Sequence, residues 1–346
     1  MDWTRSYTAE YRVYRVDRRT WADAERVGGV VSASVVRSAN GSAPMLESGT
    51  FAYDGVPGEE VGEDYHRVVM IAEQGGERER VDVCTMLCRS IGTDAQRGYA
   101  EHSIEGSSVL YPASRRRLLV GTYAPQGSDG ARYVGDLLAE CIHAPVEVTG
   151  GFTLDSHVVF DAGSTALAAA WLVLKAGGYV MRVTGDGVVH VVPKPTEPAL
   201  VIDRDGQGHV QDGISADYGT AGMPNRYTAV DGAQSATAVN DDAGSDISVA
   251  VRGYYDDVYD SKPVRVGGET LAAYAARKLA EASVADDVRT YTREYRPDVL
   301  PFDVVRAMLP SRGMEGDYRV RSQSLSIGRG ITVNETASRE VALWTA

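Results

Sequence analysis

Carboxylates in close succession are the first residues here whose types and spacing suggest a reaction. Glu59-Glu60 and Glu63-Asp64 lie in one short stretch, and glycoside cleavage uses two carboxyl groups set about 5–10 Å apart. They stand among glycines and a proline, where a solvated charge cluster is the plainer reading. Asp203-Arg204-Asp205-Gly206-Gln207-Gly208 and Asn240-Asp241-Asp242-Ala243-Gly244-Ser245-Asp246 resemble calcium loops. Both lack the full ligand spacing and the closing bidentate glutamate. The six histidines, His66, His102, His143, His157, His190 and His209, are scattered; His157 and His190 fall in strand patterns, as half-buried or surface positions rather than bases. No Gly-x-Ser-x-Gly, His-Glu-x-x-His or phosphate loop occurs. The expectation is therefore no catalytic residue, no cofactor and no metal.

Three further groups invite binding rather than catalysis. Cys84 and Cys88 have zinc-like proximity, but no second pair completes four ligands. With Cys141 they read as small buried hydrophobes, in keeping with a reducing cytosol. Arg115-Arg116-Arg117 is the one basic run, either a phosphate or lipid contact or a solvated strand entry. Tyr53, Tyr99 and Tyr254-Tyr255 are either sugar-stacking platforms or core and interface tyrosines.

The elements that must position these residues are mostly strands. Period-two alternation predicts strands over 7–16 and 30–36, a turn at Asn40-Gly41, and a strand over 48–53. A hairpin follows over 65–73 and 78–86, then strands over 100–110 and 116–122. The period then changes. Tyr133, Leu137, Leu138 and Cys141 share one helical face, and Ser164 is placed to cap a second helix carrying Leu167, Trp171 and Leu174. Trp171 is expected against a hairpin over 179–192. Strands are predicted over 213–218, 225–231 and 247–253, with a polar loop over 233–245. The alanine-rich run from Glu269 to Ala282 is helical, and strands close the chain. In 318–327, Tyr318 and Val320 share one parity and Leu325 and Ile327 the other, which predicts a bulge or bend between Arg321 and Ser324.

At 346 residues, more than one domain is expected. The divisions fall at 1–124 (β-barrel-like), 125–198 (α+β) and 199–346 (β-barrel-like with one helix). The fold class is mainly β with an α+β insert. A net charge of −13 argues against general nucleic-acid binding, which needs basic faces. The first residues lack the apolar core of a signal peptide, and no run has the length of a membrane span. Only four lysines occur, Lys175, Lys194, Lys262 and Lys278. Long strands with little lysine, such as 7–16 and 30–36, leave exposed edges, so some edges are expected to be satisfied by a neighbouring subunit.

The order of elements resembles the tail-hub and tail-tip proteins of tailed bacteriophages. The matching steps are Trp21-Ala22-Asp23, the strand over 30–37, Leu46-Glu47-Ser48-Gly49, the helix–hairpin unit over 164–192, and Met223-Pro224-Asn225-Arg226-Tyr227. Last come Leu271, Tyr274, Ala275 and Leu279 on a helix, and then Pro297 to Val305. There the family has Pro-Gly-Asp, and this chain has Pro301-Phe302-Asp303, so a turn of different shape is expected. The resemblance implies two tail-tube-like barrel or sandwich domains flanking the α+β unit. It implies a homotrimeric ring at the distal end of the tail tube, adapting six-fold to three-fold symmetry and gating DNA passage. The implied partners are the tail tube, distal tail, tape-measure and tip or spike proteins, with DNA only in transit and no stable membrane contact. The implied location is the virion tail, assembled in the host cytoplasm. A receptor- or carbohydrate-binding tail module is the alternative. A tail-associated hydrolase is a third reading; in the family that activity resides in added C-terminal domains.

Overall fold

The computed structural model describes every residue except 4, 40–43, 56–62, 97–98, 156, 204–209, 212, 262, 264–268, 329 and 346. The protein is mainly β and folds as two units. One comprises Met1–Ile214 and Thr290–Ala337, the other Ser215–Arg289 and Ser338–Ala346.

The first unit begins with six antiparallel strands: β1 (Thr8–Val16), β2 (Asp23–Ser38), β3 (Leu46–Gly55), β4 (Tyr65–Gln74), β5 (Glu77–Gln96) and β6 (Tyr99–Ser108). They neighbour one another in the order β1-β4-β5-β6-β3-β2, and β2 pairs back onto β1, closing a barrel. The β4–β5 hairpin turns at Gly75-Gly76, both at positive φ, as a two-residue hairpin of this hand requires. Alternate residues fill the interior, among them Val13, Val35, Phe51, Val68, Met70, Val83 and Ile104.

Sixteen residues of β2 serve three partners. Residues Asp23 to Gly29 pair with β1, while Ala33 to Ser38 pair with Ile327 to Ser322 of the strand Met314–Ile327. The opposite edge belongs to β3 from Val30 onwards, and β1 is held between β2 and β4. Most of the edges of these two strands are thus paired within the chain, β1 meeting β2 from Arg12 onwards.

The stretch after the barrel departs from expectation. Residues 116–122 form no strand; Tyr111–Arg115 is a helical turn with Pro112 at its start, where a missing N–H costs nothing. Asp129 caps the helix Gly130–Ala139, its Oδ1 accepting from Ala131 N at 3.0 Å and Arg132 N at 3.2 Å. That helix buries Ala131, Val134 and Leu138, with Tyr133, Leu137 and Cys141 at the margin. Thr165, not Ser164, caps the helix Ala166–Ala176, accepting from Ala168 N at 3.2 Å. The expected hairpin forms from Tyr179–Val183 and Val189–Pro193, with Val146–Val148 added in parallel. These helices and strands share one core with Trp21, Tyr65 and Phe302.

Two sets of contacts fix the hairpin. Its turn, Gly185-Asp186-Gly187, lies on the barrel. Trp21 Nε1 donates to the Asp186 carbonyl at 2.9 Å, Arg67 Nη2 to the same oxygen at 2.8 Å, and Thr85 Oγ1 to the Gly185 carbonyl at 2.9 Å. A Cβ on Gly185 would stand 1.7 Å from the Asp82 carbonyl oxygen, so only glycine permits this approach. On its other side Arg182 pairs with Asp303; Trp171, on the preceding helix and expected to be buried against the hairpin, is only half-buried and stacks on Phe302.

The strand Met314–Ile327 is continuous, starts earlier than expected, and pairs with β2 in unbroken register over Ser322–Ile327. The bulge expected between Arg321 and Ser324 does not interrupt that pairing. Parity changes because the two halves serve different cores. Tyr318 and Val320 pack with Leu200, Tyr291 and Val305, while Leu325 and Ile327 face the barrel interior.

In the second unit, Arg226–Asp231 pairs with Gln234–Val239 and, in parallel, with Asp257–Asp260. The helix Leu271–Ala282 packs one face of this sheet through Leu271, Tyr274, Ala275 and Leu279. The segment read as a polar loop over 233–245 thus contains a strand, its small residues matching a half-exposed ladder. The strand expected over 247–253 is instead the short helix Val249–Arg252, capped by Ser248 and ended by Gly253 at φ 72°.

Candidate functional site

Several residues singled out for chemistry are engaged in structural contacts, and others lie outside the described residues. Glu59-Glu60, Asn40-Gly41, His209 and all but the first residue of the 203–208 loop lie outside the described residues. Asp64 belongs to a surface ion-pair group with Arg18 at 3.2 Å and Arg15 at 3.9 Å. The Asn240 loop closes on itself, Asn240 Nδ2 donating to Ser245 Oγ at 2.9 Å and Gly244 N to Asp242 Oδ1 at 2.8 Å. Among the described residues no group of three or more His, Cys, Asp or Glu is placed to hold a metal ion.

The histidines are dispersed. His66 is buried in the barrel beside Phe51, and desolvation lowers its pKa to about 4. His102 is buried against Tyr53 with Nδ1 3.0 Å from Thr93 Oγ1. His190 pairs with Glu147 at 3.4 Å, and His157 Nδ1 accepts from Gln126 N at 3.0 Å. His143 meets Tyr65 edge-on. Burial pushes the Cys84 thiol up to about 12 and the Cys88 thiol to about 11, so neither offers a thiolate at neutral pH. The arginine run is spent locally. Arg116 donates to the Glu140 carbonyl at 2.7 Å, and Arg117 to the Gly163 carbonyl.

Two buried ion pairs escaped sequence reasoning. Arg37 and Glu47 stand opposite each other on β2 and β3, Nε to Oε1 2.7 Å, both buried. Burial raises the Glu47 pKa, and the Arg37 charge opposes that rise. Glu47 is the acid of the Leu46-Glu47-Ser48 step, so that motif carries a core charge pair. Arg293 and Glu335 meet at 2.5 Å in full burial. Tyr291 donates to Glu335 Oε1 at 2.5 Å and Gln323 to Oε2 at 2.8 Å. Their separation by 42 positions leaves no local signal.

Of the candidate sugar-stacking tyrosines, Tyr53 is fully buried in the barrel, and the Tyr99 side chain lies outside the described residues. Tyr254 and Tyr255 are 57% and 53% exposed, and Tyr259 just beyond is 68% exposed. Asn225, itself buried, holds this segment. Its Nδ2 donates to the Tyr254 carbonyl at 2.9 Å, and its Oδ1 accepts from Asp256 N at 2.8 Å. Arg226 lies 4.1 Å above the Tyr255 ring and forms a two-pronged pair with Asp257. Arg252 donates to the Met223 and Thr220 carbonyls at 2.7 and 2.6 Å. The Pro224-Asn225 step is therefore a clamp for exposed aromatics.

No protein-family model matches the sequence, and no curated protein matches it. Solved structures do. The fold is similar to that of a tail protein from Neisseria meningitidis, at 14% identity and a TM-score of 0.61 over 97% of each chain. It is similar to the 43 kDa tail protein of prophage MuSo2 from Shewanella oneidensis, at 12% identity and a TM-score of 0.60, over 96% of this chain and 98% of that one. A chain of the Francisella PdpA-VgrG complex aligns at 8% identity and a TM-score of 0.54, over 96% of this chain and 58% of that one. What this chain shares with these proteins is the fold.

Proposed function

We propose that this chain is a structural component of a phage or prophage tail, acting as the hub at the distal end of the tail tube. The observation that carries the reading is end-to-end likeness to two tail proteins, each covered almost completely. The internal construction supports a load-transmitting part rather than a catalyst. A closed barrel is riveted to the helix–hairpin segment by backbone carbonyl contacts, and its buried charges are paired with each other. In this role three copies form a ring that adapts the six-fold tube to a three-fold tip and gates the genome. Its partners are tube, distal-tail, tape-measure and tip or spike proteins, and its inner wall is acidic or neutral so that DNA passes without adhering. Assembly takes place in the host cytoplasm. Most of the β1 and β2 edges are used within the chain, so other surfaces, joined head to tail, close the ring. Sedimentation of the purified chain at micromolar concentration tests this. A species of three times 37.2 kDa is expected, and a monomer at all concentrations counts against the ring.

A further inference from the structure

The sheet of the second unit has one covered face and one open face. Tyr227, Ala229, Ala236, Ala238 and Val258 point to the helix Leu271–Ala282. Strand alternation places Arg226, Thr228, Thr237, Asp257 and Tyr259 on the other side. There Thr228 and Thr237 share a hydroxyl hydrogen bond at 3.0 Å, Arg226 grips Asp257, and Tyr255 lies under the Arg226 guanidinium. We propose that this open face is a binding site for a neutral oligosaccharide, with Tyr255 and Tyr259 as stacking rings and the Arg226–Asp257 pair and threonine hydroxyls as its polar groups.

Three observations favour a sugar. A pyranose presents an apolar C–H face ringed by hydroxyls. It needs exposed aromatic rings on a fixed backbone, and Asn225 fixes the chain on both sides of Tyr255. Its hydroxyls need donors and acceptors side by side, and a guanidinium paired with a carboxylate offers both in one plane. The pair also cancels its own charge. Arg226 holds the Asp257 carboxyl below its usual pKa, and Asp257 raises that of Arg226. Nearby Arg252 is matched by Asp256 at 3.7 Å. The face therefore has no excess charge to draw a phosphate, a nucleic acid or an acidic glycan. Apart from the half-buried Val230 and Val239, its side chains are polar or aromatic, whereas the core of a protein interface is more apolar. The inference does not rest on the ring reading, and a monomer could carry the same site.

Calorimetric titration and saturation-transfer NMR on the full chain provide the test, with maltohexaose, cellohexaose and chitotetraose as neutral probes and tetragalacturonate as the acidic control. At least one neutral probe is expected to bind with a Kd below about 1 mM, insensitive to added salt, while the acidic control does not. Tyr259→Ala should weaken that binding ~tenfold, and Tyr259→Phe should leave it within about twofold. Both variants should melt as the parent does, since the ring is exposed. Failure of all three neutral probes overturns the proposal, as does binding that neither Tyr255→Ala nor Tyr259→Ala weakens. Self-association that Tyr259→Ala abolishes, without sugar binding, assigns the face to a second copy and overturns it equally.

Discussion

The Trp171 indole stacks on the Phe302 ring, centroids 5.8 Å apart and planes 27° apart, and Phe302 holds a backbone φ of 76° to do so. Leu300 to Asp303 forms a turn closed by Asp303 N to Leu300 O at 3.1 Å. Phe302 is its third residue, where positive φ favours glycine. The chain keeps the turn expected of a glycine and accepts backbone strain, because the ring fills the space beneath Trp171. Phe302→Ala retains the strain and loses the ring, for a cost of ~3–5 kcal/mol. Phe302→Gly also loses the ring but relieves ~1–2 kcal/mol of left-handed strain. Thermal melting should rank parent above glycine above alanine; alanine melting above glycine would refute the strain. Trp171→Ala should cost roughly 3 kcal/mol, and its effect should be less than additive with Phe302→Ala.

Gly185→Ala tests the rivet between hairpin and barrel. Its Cβ would collide with the Asp82 carbonyl, a backbone atom that cannot swing aside. A loss of ~1–3 kcal/mol is expected, with faster amide exchange over 179–193. Unchanged exchange there would mean the turn does not dock.

Removing Arg293 alone leaves Glu335 buried with only Tyr291 and Gln323 as partners. Arg293→Met should cost about 3–5 kcal/mol by chemical denaturation, and adding Glu335→Gln should recover part of it. A double variant no better than the single would show that the charge pair is not the source of the loss.

Acid stability carries the mark of His66. An ordinary histidine titrates near 6.5, and burial lowers this one to about 4. As pH falls through that window the unfolded chain takes up a proton that the native barrel refuses. The contribution is complete above pH 6.5 and declines towards pH 4, by ~3 kcal/mol at most. Asp303, whose pKa burial raises, acts in the opposite sense, its contribution being lost as pH rises. Stability of His66→Leu should therefore show a shallower fall between pH 6.5 and 4 than the parent; equal slopes would remove His66 as the cause.

Much of the fold was legible because its signals are local. The β4–β5 hairpin was marked by two glycines between alternating runs, and the closing helix by its alanines. The failures have physical reasons. Residues 116–122 looked strand-like from Leu118, Leu119 and Val120, but Leu119 and Val120 are almost fully exposed, so no sheet gained from them. Ser248 and Gly253 are helix boundaries around a single turn, too short for periodicity to show. The candidate site was partly legible. Tyr254 and Tyr255 stood out as residues, and Asn225 as a motif, but their hydrogen-bonded union spans 29 positions. Tyr259 went unremarked because nothing in its immediate sequence separates an outward from an inward tyrosine.

The most direct test of the hub role is an averaged electron-microscopy map of assembled tails in which this chain carries a C-terminal label. Three labels arranged around one axis at the distal end of the tube, with the chain forming a closed ring there, is the predicted result. Labels along the tube, on the fibres, or in a number other than three at the tip would contradict it.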